Sequence, residues 1–207
     1  MPKVEVSKIR RKQLIDATFA VLHTEGYSRT TSAKISSQAG LSTSIINHYF
    51  TSKDALIEAA LRDLAATLLR EIAIKRSAAK TPVDKVLAVV DGNFAPSQCT
   101  PQAVSAWLFF WSQVPYRPEF ARIHQICDRR QLSYLRRSLG EMLPGQHLAE
   151  DISHTLISLT YGFWLQFAHY PDEFKADRAR QLALEALAAC IQRSWSKLGR
   201  IKSQQWV

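Results

Sequence analysis

At 207 residues the chain holds one large domain or two small ones, and with 46% hydrophobic and 22% charged residues it can bury a core and is not of disordered composition. A net charge of +9 favours an anionic partner. The most apolar stretch, Leu156 to Ala168, is too short to span a bilayer and contains Gln166, so a membrane-embedded role is excluded.

No run sustains two-residue alternation and glycines number only 7, so the chain is expected to be all-α, with about nine helices. Residues 1–12 are charged and no apolar run follows, so no export signal is expected. The first helix is expected over Ser7–Thr24, with Ile9, Leu14, Ala17, Thr18, Val21 and Leu22 as its inner stripe and Gly26 as its stop. Two short helices follow, Ser32–Ala39 and Thr43–Phe50. A long one then begins at a Ser52 cap and runs to Arg76, with Leu56, Ala60, Leu64, Leu68 and Ile72 on one side. Pro82 opens a helix to Phe94, and Pro101 opens another to Gln113. After Pro115 and Pro118 a basic helix spans Glu119–Met142, stopped by Pro144 and Gly145. The last two helices are expected over Leu148–His169 and Asp172–Leu198, parted by Tyr170 and Pro171. Cys99, Cys127 and Cys190 are widely spaced with no CxxC pair, which suits buried thiols in a reducing cytoplasm.

The segment from Thr31 to Leu56 carries the function. Ile35 and Ala39 share one helical face, Gly40 follows where a helix end needs positive φ, and Leu41 packs back. Ser42 is placed to cap the next helix. Ile45, Ile46 and Tyr49 give that helix a buried side and leave Thr43, Ser44, Asn47 and His48 on the other, as short polar groups able to reach base edges and phosphates. That is the plan of a helix-turn-helix, whose second helix enters the major groove. Residues 1–53 add Lys3, Lys8, Arg10, Arg11, Lys12, Arg29, Lys34 and Lys53 against Glu5, Asp16 and Glu25, which places more than half of the net charge in a quarter of the chain. The division expected is a three-helix DNA-binding domain over 1–50, a helical effector-binding and dimerisation domain over 51–200, and a loose tail over 201–207.

This segment resembles the signature of the TetR family of bacterial repressors. Thr31, Ile35, Ala39, Gly40, Leu41, Ser42, Ile46, Tyr49, Phe50, Lys53 and Leu56 stand in the family's order. Ser44 stands where many members carry Gly, which adds a side chain at the groove. The resemblance implies a homodimer on a palindromic double-stranded DNA operator. Thr43, Ser44 and Asn47 are then the base-contact candidates, with Thr31, Ser42, His48, Tyr49 and Lys53 at or near the backbone and Arg11 at the backbone or the adjacent minor groove. It also implies pairing of the last two helices, through Leu182, Ala183, Ala186, Leu187, Cys190 and Ile191 with Leu156, Leu159, Phe163 and Phe167.

Aromatic residues cluster in GNF, AWLFFW and YGFWLQF, and most aromatics in such positions fill helical interiors. These segments also resemble the branch of the family that represses choline-to-glycine-betaine genes. A quaternary ammonium is recognised by aromatic faces and a nearby anion. Trp107, Trp111 and Trp164 are the cage candidates, with Phe94, Phe110 and Tyr161 beside them. Tyr161 occupies a place where that branch tends to hold an acid, and Asp91 is the substitute acid considered. The effector implied is a choline-like cation or another small apolar or cationic molecule. The six histidines show no paired metal spacing, and neither GxSxG, a P-loop nor a Gly-rich dinucleotide turn occurs, so neither catalysis, a metal nor a cofactor is expected.

Overall fold

The computed structural model describes residues 3–143 and 145–204, with side chains placed for 4–143, 145 and 147–193. Nine helices and no strands occur among these residues: α1 Lys3–Arg29, α2 Ser32–Gln38, α3 Ser44–Tyr49, α4 Lys53–Ala78, α5 Pro82–Asn93, α6 Pro101–Gln113, α7 Pro118–Gly140, α8 Gln146–His169 and α9 Ala176–Gln204. The elements follow the expected order; α1 starts at Lys3, four residues before the expected Ser7, and three further boundaries differ for local reasons. Helical bonding resumes past Gly26, but the residue itself breaks the helix at φ 70, ψ 169. The last helix begins at Ala176 and not Asp172, because the Glu173 and Phe174 amides both turn back onto the Tyr170 carbonyl. It then continues to Gln204, so residues 201–204 of the expected loose tail are helical, while 205–207 lie outside the described residues.

Caps set several of the starts. Thr81 accepts from the Asp84 amide at 3.1 Å while Asp84 accepts from the Thr81 amide at 2.9 Å, a reciprocal box with Pro82 in the first turn of α5. Ser52 accepts from the Ala55 amide at 3.0 Å and starts α4 as its position predicts.

The chain divides into two compact units, one of residues 1–67 with 97–126, the other of residues 68–96 with 127–207. α1 packs along α6, which brings residues 97–126 into the same unit as the reading head. The first unit is centred on Leu14, Ile15, Ala17, Val21, Ile35, Ile46, Phe50, Leu56 and Ala60, all buried. Ile9, expected in the same stripe, is 42% exposed. Five residues at about 100° each carry it roughly 140° from Leu14, off the buried face. His23 Nδ1 meets Ser105 Oγ at 2.8 Å and ties α1 to α6.

In the second unit α5 approaches the end of α4 through Gly92. A Cβ there would come within 2.3 Å of Ile72 Cγ1 and 3.1 Å of its Cα. Beside this contact Asn93 Nδ2 donates to Gln131 Oε1 at 2.7 Å, and Gln131 Nε2 donates to Cys127 Sγ at 3.7 Å, a buried polar chain between α5 and α7. Gly92→Ala should therefore destabilise the protein by about 1–3 kcal/mol through overpacking, measured by urea unfolding; unchanged stability would show that the two helices can part at no cost.

Candidate functional site

The reading head is built around a short turn. The Thr31 side chain accepts from the Lys34 amide at 3.2 Å and caps α2. At the other end Gly40 adopts φ 65, and the Leu41 amide returns to the Ser36 carbonyl at 2.9 Å, closing α2 in the manner that left-handed residue allows. Ser42 does not cap α3 as its position predicts. Its hydroxyl pairs with the Ser44 hydroxyl at 3.0 Å, and Thr43 occupies the cap position with no side-chain bond to the helix. An αR backbone at Thr43 (φ −62, ψ −31) continues the helical path, where a capping residue usually takes an extended conformation.

α3 lies on Ile46, which has no exposed surface, with Ile45 and Tyr49 half-buried at its flanks. Thr43, Ser44, Asn47 and His48 are all exposed, the division expected from the spacing. The His48 and Tyr49 rings meet edge to face at 4.8 Å. Arg11 is exposed and makes two contacts within the head. Its Nη1 donates to the Tyr49 carbonyl at 3.4 Å, and its guanidinium lies 4.4 Å from the Phe50 ring centroid. A cation there satisfies a carbonyl at the C-terminus of α3 and suits the dipole at that end. Lys53 is half-buried; its Nζ donates to the Thr30 carbonyl at 3.2 Å and lies 4.9 Å from the Tyr27 ring centroid. Three other cations of the head are paired, Lys12 with Asp16 and Asp63, and Arg29 and Lys34 with Glu25.

The aromatic candidates fall in both units. In the first, Trp107 stacks on Trp111 at 5.6 Å and meets Phe110 at 5.7 Å, while its indole N–H donates to Gln98 Oε1 at 3.1 Å. Trp107 and Phe110 are buried and Trp111 is half-buried. In the second, Phe94 lies 6.0 Å from Phe163 and 6.2 Å from Phe167, and Trp164 meets Phe167 edge to face at 6.2 Å. Asp91, the acid considered for a cationic effector, is bound through both oxygens by Arg180 of α9, so its charge is already met. The acid beside Tyr161 is Asp128 of α7, which accepts from the tyrosine hydroxyl at 3.0 Å. Burial first, and then the neighbouring carboxylate, push the Tyr161 phenol well above its ordinary range. Neither Arg180 nor Asp128 could be found from the sequence, since each meets its partner across a long chain separation with no motif between.

A surface groove of about 820 Å³ runs along α8 and α9, lined by Leu159, Gly162, Phe163, Gln166, Phe174 and Leu182 among others. Of the expected pairing stripe, Ala183, Leu187, Leu156 and Phe167 are turned to the core, while Leu182, Ala186, Cys190, Ile191, Leu159 and Phe163 keep partial exposure. Among the described residues no cluster of metal-ligating side chains occurs, and no helix is long and apolar enough to cross a membrane.

Fold and head together define a helix-turn-helix DNA-binding regulator with an all-helical sensory part. Residues 14–60 match the profile of bacterial regulatory proteins of the tetR family, and residues 82–192 match that of the BetI-type transcriptional repressor, C-terminal. The HTH-type transcriptional regulator BetI 1 of Chromohalobacter salexigens is 36% identical over 197 residues, covering 95% of this chain and 97% of that protein. The regulator BetI of Escherichia coli is 39% identical over 171 residues, covering 81% and 87%. Among solved structures, a transcriptional regulator from Pseudomonas aeruginosa superposes with a TM-score of 0.75 at 25% identity, covering 90% of this chain and 94% of that one. One from Saccharomonospora viridis, in complex with choline, superposes at 0.71 and shares the fold at 17% identity, covering 84% and 93%. The chain belongs to the TetR family and carries a BetI-type C-terminal domain. It is a ligand-responsive DNA-binding repressor that works as a dimer, and not an enzyme.

Cys127 is buried, and burial pushes its thiol up to about 12. It should resist iodoacetamide at pH 8 in the folded protein and react at once after unfolding in urea; rapid labelling of the native protein would contradict the burial.

Proposed function

We propose that this protein represses genes for the conversion of choline to glycine betaine and is released or retuned by a choline-like quaternary ammonium. The match of residues 82–192 to the BetI-type C-terminal profile carries the choline part of this reading. The aromatic content of the sensory helices supports it, since a quaternary ammonium donates no hydrogen bond and is bound by ring faces. The half-buried Trp111, stacked on Trp107, supplies such a face in the first unit. In the second unit Tyr161 is the half-buried candidate, while Phe94 and Trp164 are buried. Asp91, already paired with Arg180, is the least apt of the candidate residues for a free cation.

On the DNA side, Thr43, Ser44 and Asn47 read base edges from the exposed face of α3. His48, Tyr49 and Lys53 meet the backbone, with Thr31 and Ser42 at the helix starts beside them and Arg11 holding the end of the reading helix in place. The groove along α8 and α9 is where the second subunit docks, which pairs two reading heads against a palindrome. Effector binding favours a dimer whose heads are wrongly spaced for adjacent major grooves, with α4 as the connecting lever.

Three measurements test this. Asn47→Ala should cost about 1–3 kcal/mol of discrimination at one position of each half-site, scored on a panel of single-base operator variants; uniform weakening across the panel would remove Asn47 from base contact. Lys53→Ala should weaken binding to every sequence alike and flatten the slope of log affinity against log salt by about 1; a changed sequence preference would contradict the phosphate role. In isothermal titration the wild type should bind choline, and Trp111→Leu should bind it about tenfold more weakly with operator affinity unchanged. Equal binding of choline and its uncharged carbon isostere, 3,3-dimethyl-1-butanol, would point to an apolar effector.

A further inference from the structure

We infer that Tyr27 and Arg117 are positioning residues for operator binding, acting through Lys53 and Asp54. The inference rests on the reading of Lys53 as a phosphate contact. Lys53 and Asp54 are adjacent in the first turn of α4, one cation and one anion at the place where that reading runs the DNA backbone. Unmet, the carboxylate would repel the phosphates that the ammonium attracts.

The structure separates the two charges with one ring. Lys53 Nζ lies 4.9 Å from the Tyr27 ring centroid and gives one of its three donors to the Thr30 carbonyl at 3.2 Å. A ring face attracts the ammonium without consuming a donor, so two remain to meet an anion. The ring is itself fixed from two sides. It stacks on Phe109 with centroids 4.6 Å apart and planes 18° apart. Its hydroxyl accepts from Arg117 Nη2 at 2.6 Å and donates to Asp54 Oδ1 at 3.3 Å. Arg117 reaches Asp54 Oδ2 as well, at 3.6 Å, and its side chain is only 23% exposed. The arginine also lies 5.3 Å from the Phe120 ring centroid, which limits its freedom to follow another partner.

Asp54 is thus met by a guanidinium and a phenol, while Lys53 is held above the same phenol with donors to spare. The groups that do this come from the end of α1 and from α6 and the approach to α7, all within the first compact unit. Arg117 precedes α7 and Phe109 lies in α6, so side chains from the sensory part of the sequence set the charge balance at the DNA backbone. Neither Tyr27 nor Arg117 needs to touch DNA for this.

The test uses a duplex selected by the protein from a random-sequence pool and fluorescence anisotropy over a range of salt. Arg117→Ala should weaken binding about tenfold, and adding Asp54→Asn should restore it to within about threefold of wild type, because the uncovered charge is gone. Tyr27→Leu should weaken binding about fivefold in the wild type and less than twofold in Lys53→Ala/Asp54→Asn, where both charges it acts on are gone, with Tyr27→Phe retaining most of the affinity because the ring face is kept. Melting temperatures of the variants confirm that folded protein is compared. Failure of Asp54→Asn to rescue, or an equal loss from Tyr27→Leu in both backgrounds, assigns these residues to the fold alone and overturns the inference while leaving Lys53 in its role. An unaltered salt slope in Lys53→Ala overturns the phosphate reading itself, and this inference with it.

Discussion

The recognition helix is six residues long, far too short to persist by itself in water, where helices of fewer than about 12 residues are marginal. It exists because Ile46 is pinned within the cluster of Leu14, Ile35, Phe50, Leu56 and Ala60. That one burial orients everything else on α3. With Ile46 inward, the 3.6-residue period turns Thr43, Ser44, Asn47 and His48 outward together, and no other rotation of the helix would bury its apolar side. The two ends are fixed by different means: Gly40 takes the left-handed turn that delivers the chain to α3, and Arg11 satisfies the Tyr49 carbonyl where the helix stops. Base reading by a helix of this size depends on those ends, because a polar face that can rock loses the geometry its hydrogen bonds need.

The head is not closed off from the sensory part of the sequence. α1 packs along α6, so the hydrophobic stripe of the first helix is shared between the helix-turn-helix and residues that follow it by seventy positions or more. The Tyr27 ring on Phe109 and the His23–Ser105 bond are the polar and aromatic expression of that packing. A regulator must let one event reach another, and rigid contacts between head and sensory helices are a physical route for it. α4, Lys53–Ala78, contributes residues to both units.

Helix order, the helix-turn-helix and the face of α3 were legible because each rests on local rules: period, capping and the conformational freedom of Gly40. The start of α9 was missed by four residues, since the turn after Pro171 is made by two amides sharing the Tyr170 carbonyl and leaves no composition signal. Ser42 looked like a cap and instead pairs with Ser44, because Thr43 already follows a helical backbone. The compact units could not be read at all, as they depend on which helix covers the back of α1. The same holds for charge. Asp91 is paired with Arg180 from 89 residues away, and Arg11 meets the Tyr49 carbonyl, contacts that leave no signal in the sequence. Long-range pairing of charges has no period, and single-sequence reading is blind to it.

Repression, as proposed, has two copies of α3 enter the major groove of a symmetric site. Methylation interference on a duplex selected by the protein tests this most directly, because methyl groups on guanine N7 block the major groove alone. Two symmetric sets of interfering guanines, their centres one helical turn or a whole multiple of it apart, are the predicted result. Interference confined to the minor-groove positions of adenine, or a single set with no symmetric partner, would contradict it.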